Sequence, residues 1–486
     1  MKNSGLLLSQ RLPNNSASFQ TMAGIKPNIN NQKQEESDAL FSISQHIEEV
    51  NSAIQNGDST IQFSLENILQ KVVLVKDFPD EYFEDTRFFC RLGEVLLMYS
   101  TSNESITATC LKIIFHVVKK DQKSLIEFSN CINVSFIFND LLKDPSITIF
   151  VLAGVIINVF YQYPDTKHLN QDIELLPLVL NRINQEFSNV SELERSPDTI
   201  RNIQKLFALL EQSLLNMSTE AAANNQNELI NLALQSMESP IVHEISDQIA
   251  KITFLIMNKV GKSIVIDSHL FEACLSLLND ERDKSSYIWI LSMIGFILYE
   301  DIPTNPDTLE LIPVKKLVEL IFYENLDAQT SKRLLTAINN LVSFGSEFVE
   351  YFVDTDVVNG LMKMADNDSM EIRLSVQYLF WSLIHASTVN QMSALFSING
   401  VIDFMMEIFE SEDEKLIFPI VKSAFLTLFK TIQMQNLMKT EPFYYLLDQI
   451  KDQLIELCNS DSQISMFATT YLKNYFPDEY ENQGYI

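Results

Sequence analysis

The chain has 486 residues, with 64 acidic and 35 basic side chains that give a formal net charge of −29, and 46% of its residues are hydrophobic. It contains only 11 glycines and 14 prolines, fewer than α/β enzymes with phosphate loops and tight βα turns normally use. The negative field repels phosphate, which argues against nucleic acid or an anionic membrane as the main partner. A protein partner with a basic segment is compatible with this charge.

The cysteines and the most apolar stretches of the sequence indicate in which cellular compartment the protein operates. Five cysteines are spread along the chain without a CxxC pair, which is unlike a disulfide framework or a zinc site and is typical of a reducing compartment. The most apolar stretches, Ile149–Ile157 and Ile288–Tyr299, are shorter than the roughly 20 residues that a membrane-spanning helix needs. We therefore expect an intracellular protein without a membrane partner.

The beginning of the chain differs in composition from the rest. Residues 1–36 are rich in Asn, Ser and Gln and lack helical periodicity, so they are predicted to be a disordered tail. From residue 37 onward, apolar residues recur at three- and four-residue spacing, as in Leu334, Leu335, Ile338, Leu341 and Val342. No long stretch alternates with period two. The pattern predicts an all-α chain, with a repeat region over 37–477 and an acidic tail over 478–486.

The predicted helices recur in sets of three. One set is Phe348–Asp354, Val357–Ala365 and Met370–Thr388, and the next is Met392–Ile398, Gly400–Phe409 and Lys415–Ile432. The midpoints of the long third helices are Lys71, His116, Asn158, Asn216, Asn258, Phe296, Asn340, Ser382, Leu428 and Tyr471. Eight of the nine intervals between them measure 38–46 residues, which is the length of an armadillo or HEAT unit.

The repeat length predicts the architecture. Three helices per unit favour the armadillo form, and one unit cannot bury its apolar faces alone, so neighbouring units must stack. We predict a right-handed superhelical solenoid of about ten repeats, whose third helices line one concave groove. The single long interval contains an insertion over 186–199, including Pro197, which we interpret as a surface loop.

No catalytic or cofactor-binding motif stands out in the sequence. The six histidines are far apart, without the spacing of a metal-ligating helix. Gly261-Lys262-Ser263 is similar to the end of a phosphate loop, but Ile256 stands where that motif needs glycine, so a helix-terminal glycine is the better interpretation. We expect no enzymatic activity, no cofactor and no metal.

Four segments near the two ends of the repeat region are Ile47–Ile54, Ile61–Glu66, Leu446–Ile450 and Ala468–Phe476, the last followed by Asp478, Glu479 and Glu481. These segments and the ten repeats resemble the importin alpha (karyopherin alpha) family of armadillo proteins. The resemblance implies an adaptor that binds basic nuclear-localisation peptides in its concave groove, for nuclear protein import. It also implies a location in the cytoplasm and nucleus.

The family lines its groove with Trp-x-x-x-Asn pairs, in which asparagines bind the peptide backbone and indoles hold lysine side chains. The resemblance therefore implies peptide-binding roles for Asn158, Asn216, Asn258, Asn340, Phe254, Tyr378 and Ser382. No tryptophan stands four residues before these asparagines. In a chain rich in asparagine, the same amides could also face solvent without a ligand.

Two features separate the chain from the family pattern. Residues 1–36 contain only Lys2, Arg11, Lys26 and Lys33 as basic residues, so the basic segment that engages importin beta is missing and that partner is not expected. The tryptophans Trp289 and Trp381 are not followed by asparagine at the fourth position. The alternative is a generic armadillo-repeat scaffold that binds a different protein partner and has no transport role.

Overall fold

The computed structural model describes an all-helical chain, as the periodicity predicts. The described residues are 29–56, 60–79, 82–100, 102–163, 174–188, 196–279, 284–299, 306–366, 369–411, 413–435, 437, 440–459 and 463–482. Over these ranges the chain contains no β-strand. They divide into two compact units, one before and one after residue 273.

The first unit comprises fourteen α-helices. These are α1 Ile29–Asn56, α2 Ile61–Val72, α3 Tyr82–Thr86, α4 Phe88–Tyr99, α5 Glu104–Val118, α6 Gln122–Cys131, α7 Val134–Leu141, α8 Ile147–Gln162, α9 Leu175–Ser188, α10 Pro197–Asn216, α11 Thr219–Asn224, α12 Gln226–Met237, α13 Ser246–Val260 and α14 Lys262–Asp267. A 3₁₀ turn, Val242–Glu244, precedes α13, and α15 (Leu270–Ser276) contains the boundary between the units.

The second unit continues the pattern from Cys274 onward. Its helices are α16 Tyr287–Tyr299, α17 Pro306–Glu310, α18 Val314–Ile321, α19 Ala328–Val342, α20 Ser346–Val349, α21 Thr355–Ala365, α22 Met370–Ala386, α23 Val389–Phe396, α24 Val401–Met406, α25 Glu414–Pro419, α26 Phe425–Gln435, α27 Glu441–Cys458, α28 Gln463–Tyr475 and α29 Pro477–Asn482. A π-helical turn, Ile420–Ala424, joins α25 to α26.

Within each unit, one long helix from each repeat packs directly against the corresponding helix of the next, and we call these the ladder helices. In the first unit the ladder helices are α2, α5, α8, α10 and α13, and in the second they are α16, α19, α22, the joined α25–α26 and α28. Most also pack on a helix of a second layer, as α2 does on α1, α22 on α21 and α28 on α27. All ten midpoints from the sequence repeat fall within these ladder helices.

The helix starts follow local capping chemistry. The side chains of Asn103, Ser146 and Asp327 accept hydrogen bonds from backbone N–H groups of α5, α8 and α19, which satisfies donors that have no partner inside the helix. Gly261, at φ +122°, ends α13 in a conformation that favours glycine. The interpretation of Gly261 as a helix-terminal glycine is confirmed.

Three segment boundaries differ from the sequence prediction. Helix α1 begins at Ile29 rather than after residue 36, because Ala39, Ile43 and Ile47 bury one face of a long helix against the first repeat. Residues 1–28 of the predicted tail lie outside the described residues.

The predicted loop over 186–199 is shorter, because α9 continues to Ser188 and Pro197 already opens α10. Residues 189–195 lie outside the described part. Within the predicted acidic tail, residues 478–482 belong to α29.

The segment Glu414–Gln435 contains a π turn where the periodicity predicts one regular helix over Lys415–Ile432. Pro419 has no N–H group and cannot continue the α-helical hydrogen bonds. The Tyr471 hydroxyl of α28 donates to the Lys422 backbone carbonyl within the π turn, at 3.0 Å. By length and composition Glu414–Gln435 could cross a membrane, yet it packs between α22 and α28 as a ladder helix.

Candidate functional site

An inner ladder helix packs on its two ladder neighbours and on the second layer, which leaves a fourth side that we call the open face. On α22, Glu371 pairs with Lys332 of α19, the His385 ring lies 2.9 Å from Thr427 of α26, and Trp381 donates to Met405 in the second layer. The stripe of α22 that runs from Glu371 to His385, at three- and four-residue spacing, also carries the half-exposed Ser375, Tyr378 and Ser382 and lies away from Trp381. The structure therefore places Tyr378 and Ser382 on the open face.

Asn158 does not reach the open face. Its side chain is 2% exposed on α8, and its Nδ2 donates to the Ser213 hydroxyl of α10 at 3.1 Å. Its Oδ1 is buried without a hydrogen-bond partner. The assignment of Asn158 to a peptide site is therefore corrected, because the next ladder helix covers this amide.

Asn216 and Asn340 make a second kind of contact between ladder helices. Asn216 Nδ2 donates to the Asn158 backbone carbonyl at 3.3 Å, and Asn340 Nδ2 donates to the Gly295 carbonyl at 2.9 Å. Both side chains are half-buried. Each amide ties its helix to the preceding ladder helix, so one of its two N–H donors is already engaged before any ligand arrives.

Asn258 is the most exposed of the four asparagines. Its Nδ2 donates to the Phe254 carbonyl of its own helix at 2.8 Å. The Phe254 ring, one turn earlier, is 9% exposed. This pair comes nearest to the arrangement that the importin alpha resemblance implies, with an aromatic side chain four residues before an accessible amide.

In the first unit, two lysines at the ends of ladder helices donate to backbone carbonyls at the end of the preceding ladder helix. Lys120 Nζ donates to the Val72 carbonyl at 2.8 Å, and Lys259 Nζ donates to the Met217 carbonyl at 2.9 Å. The last carbonyls of a helix carry partial negative charge, which favours a cation there. Burial and the adjacent Lys119 lower the pKa of Lys120. These lysines have structural partners.

Charged residues are distributed unevenly in the second unit. Residues 274–486 contain 31 acidic and 14 basic side chains, but the five ladder helices carry seven of the basic residues and only two of the acidic ones. The ladder helices of the first unit are nearly balanced, with six basic and five acidic residues. The ladder helices of the second unit therefore carry a net positive charge, although the chain as a whole is acidic.

Two of the seven basic residues have carboxylate partners, Lys332 with Glu371 and Arg373 with Glu407. The other five form no ion pair within the described ranges, and we call them the basic set: Arg333, Lys415, Lys422, Lys430 and Lys473. Its four lysines are exposed, whereas Arg333 is half-buried. Burial alone lowers the pKa of Arg333.

Aromatic rings adjoin the basic set. The Phe418 ring of α25 meets the Phe467 ring of α28 edge to face, with centroids 5.4 Å apart. Lys422 Nζ lies 5.5 Å from the Phe418 centroid and 6.0 Å from that of Phe467. An ammonium group over ring faces is favourably placed, yet it remains exposed and able to meet an anion.

A small cavity of about 250 Å³ opens near the C-terminal end of the second unit. Its lining residues are Phe429, Tyr444, Leu447, Asp448, Lys451, Tyr475, Phe476 and Glu479. Lys451 pairs with Asp448 at 2.7 Å, so its ammonium group is already neutralised. Across the described residues, no cluster of His, Cys, Asp and Glu could hold a metal ion.

Comparison with known proteins supports the fold. No protein-family model matches the chain, and no curated protein matches it either. A crystal structure of an engineered protein aligns with a TM-score of 0.56 and 12% identity, over 87% of this chain and 98% of that one. Yeast importin-beta aligns with a TM-score of 0.51 and 13% identity, over 90% of this chain and 53% of that one.

A designed armadillo repeat protein also aligns, at a TM-score of 0.40 and 15% identity, over 51% of this chain and 99% of that one. At these identities the likeness concerns the fold alone. The ladder helices, with the two alignments that have TM-scores of 0.56 and 0.51, place this chain among the all-α helical-repeat solenoids, which confirms the predicted fold class. These similarities do not assign the chain to the importin alpha family.

Proposed function

We propose that this chain is a non-enzymatic scaffold that binds an extended segment of a partner protein across the open faces of its ladder helices. The observation that carries the proposal is the open face itself. Within each unit successive ladder helices pack side by side, and several of them carry exposed or half-exposed polar groups, such as Asn258 on α13 and Ser382 on α22. Stacked repeats present this kind of extended surface to partners, because each repeat contributes a few contacts.

A narrower form of the proposal is the adaptor role that the importin alpha resemblance implies. A basic nuclear-localisation peptide would then be held through Asn258 and Phe254 in the first unit, and the protein would operate in the cytoplasm and nucleus. The net charge of −29 and the exposed Asn258 support this form. The burial of Asn158 and the bonds that engage one N–H donor each of Asn216, Asn258 and Asn340 reduce the number of groups that could hold a peptide backbone.

Fluorescence anisotropy with labelled 12-residue peptides tests both forms. One peptide is rich in Lys and Arg, one is rich in Glu, and one is neutral. For the narrower form we expect saturable binding of the basic peptide that weakens with added salt and weakens further in Asn258→Ala. Asn225→Ala is the matched control, because Asn225 also donates to a carbonyl four residues earlier, Ala221, but lies outside the ladder helices.

A second pair of variants tests the open face of the second unit. Ser382→Trp places a bulky ring on the open face of α22, whereas Ser397→Trp places the same ring just after α23, outside the ladder. Binding of any peptide to this unit should decrease in the first variant and persist in the second. If none of the three peptides binds at tens of micromolar protein, the scaffold proposal is contradicted.

A further inference from the structure

The basic set lies on three of the last four ladder helices of the second unit, and α22 between them carries only the paired Arg373. Arg333 belongs to α19, Lys415 to α25, Lys422 to the π turn, Lys430 to α26 and Lys473 to α28. Among charged residues of these helices, the acidic ones are Glu371, which already pairs with Lys332, and Glu414 at the first position of α25. The helices that carry the basic set therefore contain a single acidic residue of their own, Glu414.

Folding alone does not account for this arrangement. The unit has 31 acidic residues, and Lys363 and Arg373 show that its cations can find carboxylate partners on the surface. Unpaired like charges on neighbouring helices repel one another and add no stability. A partner that supplies negative charge would remove this repulsion.

We propose that the basic set is the docking surface for an acidic, extended segment of a partner protein, which rests on the scaffold function proposed above. Aspartate and glutamate side chains of that segment would pair with the four exposed lysines and with Arg333. The Phe418 and Phe467 rings beside Lys422 would contact its apolar atoms. This partner is opposite in charge to the one that the sequence resemblance implies.

The dimensions of the surface set the length of the segment. Packed helices lie about 8–10 Å apart, so the three steps from α19 to α28 span roughly 24–30 Å. Lys415 and Lys430 are also roughly 22 Å apart along α25–α26, at about 1.5 Å per residue, so an oblique path over the basic set measures roughly 33–37 Å. An extended peptide covers about 3.3 Å per residue, so about ten or eleven residues follow this path. A 12-residue peptide therefore suffices as a probe.

Charge outside the ladder favours a short protein segment over nucleic acid. Away from the ladder helices, residues 274–486 carry 29 acidic and only seven basic side chains. A nucleic acid longer than the ladder would extend over this acidic surface and be repelled. A short acidic segment can end within the basic surface.

The test is fluorescence anisotropy of a labelled 12-residue Glu-rich peptide against the full chain and two double variants. Lys422→Gln/Lys430→Gln removes two lysines of the basic set. Lys315→Gln/Lys363→Gln removes two exposed lysines of α18 and α21, outside the ladder, and changes the net charge equally. A surface ion pair contributes about 1.4- to 5-fold in affinity, so the first variant should bind about 2- to 25-fold more weakly. The control should change by less than about two-fold.

Each alternative outcome has a distinct meaning. Equal loss in both double variants, or no binding of the Glu-rich peptide, overturns the inference. Binding of the Lys-rich peptide that Asn258→Ala weakens, without binding of the Glu-rich one, also overturns it but leaves the scaffold proposal intact. A 12-nucleotide single-stranded DNA that binds more tightly than the peptide, through the same two lysines, would show that the partner class is wrong.

Discussion

Two glycines in ladder helices allow a direct test of how closely these helices pack. Gly295 lies within α16, and a Cβ built on it would meet only the Thr336 Cγ2 of α19, at 3.8 Å, an ordinary van der Waals distance. Glycine inside a helix costs roughly 0.5–1 kcal/mol relative to alanine. Gly295→Ala should therefore stabilise the second unit by about 0.5–1 kcal/mol. The Asn340 bond to the Gly295 carbonyl would remain, because the backbone is unchanged.

Gly154 in α8 should respond in the opposite direction. A Cβ there would lie 2.7 Å from the Leu209 Cδ2 of α10 and 3.0 Å from its Cδ1, well inside the carbon–carbon optimum of about 3.5–4.0 Å. Leu209 is 1% exposed, so its side chain has little room to move. The strain of overpacking is typically about 1–3 kcal/mol, which exceeds the helix-propensity gain. We expect Gly154→Ala to destabilise the first unit by about 0.5–2 kcal/mol.

Differential scanning calorimetry of the two variants measures these shifts, at roughly 2–4 °C per kcal/mol for a unit of this size. The double variant Gly154→Ala/Leu209→Ala serves as the control, because it removes the atoms that the new methyl group meets. Its loss should be smaller than the sum of the single losses, each measured separately. If Gly154→Ala raises the unfolding temperature as much as Gly295→Ala, the close approach of α8 and α10 is refuted.

Two further predictions concern buried groups. Trp381→Phe removes the indole donor to the Met405 carbonyl, 3.1 Å away, and leaves that carbonyl buried. Urea unfolding should therefore show a free energy of unfolding lower by about 1–3 kcal/mol. A decrease under about 0.5 kcal/mol would contradict the bond. Burial lowers the pKa of His116, and the charges of Lys119 and Lys120 lower it further. The folded state therefore favours the neutral imidazole and loses stability as the pH falls below the pKa of the unfolded state, about 6.5. In His116→Gln the drop in unfolding temperature between pH 7.5 and 5.5 should be smaller than in the parent chain, and an equal drop would count against this role.

The sequence by itself was sufficient for the helices and the repeat. Helical periodicity and capping depend on residues within a few positions of one another, so Asn103 and Asp327 mark helix starts from local chemistry alone. The spacing of the repeat located all ten ladder helices. The π turn at Ile420–Ala424 was missed, because the apolar pattern on either side of Pro419 continues without interruption.

Tertiary packing determines which of the predicted site residues are accessible to a ligand. Asn158, Asn216, Asn258 and Asn340 occupy similar places in their helices, yet one is buried, two tie neighbouring helices together and one is exposed. The partners of Asn158, Asn216 and Asn340 come from an adjacent ladder helix, 45–58 residues away in the chain, whereas Asn258 bonds within its own helix. The basic surface has the same origin, because a net charge sums over the whole chain whereas a partner meets only the side chains that packing places on one face.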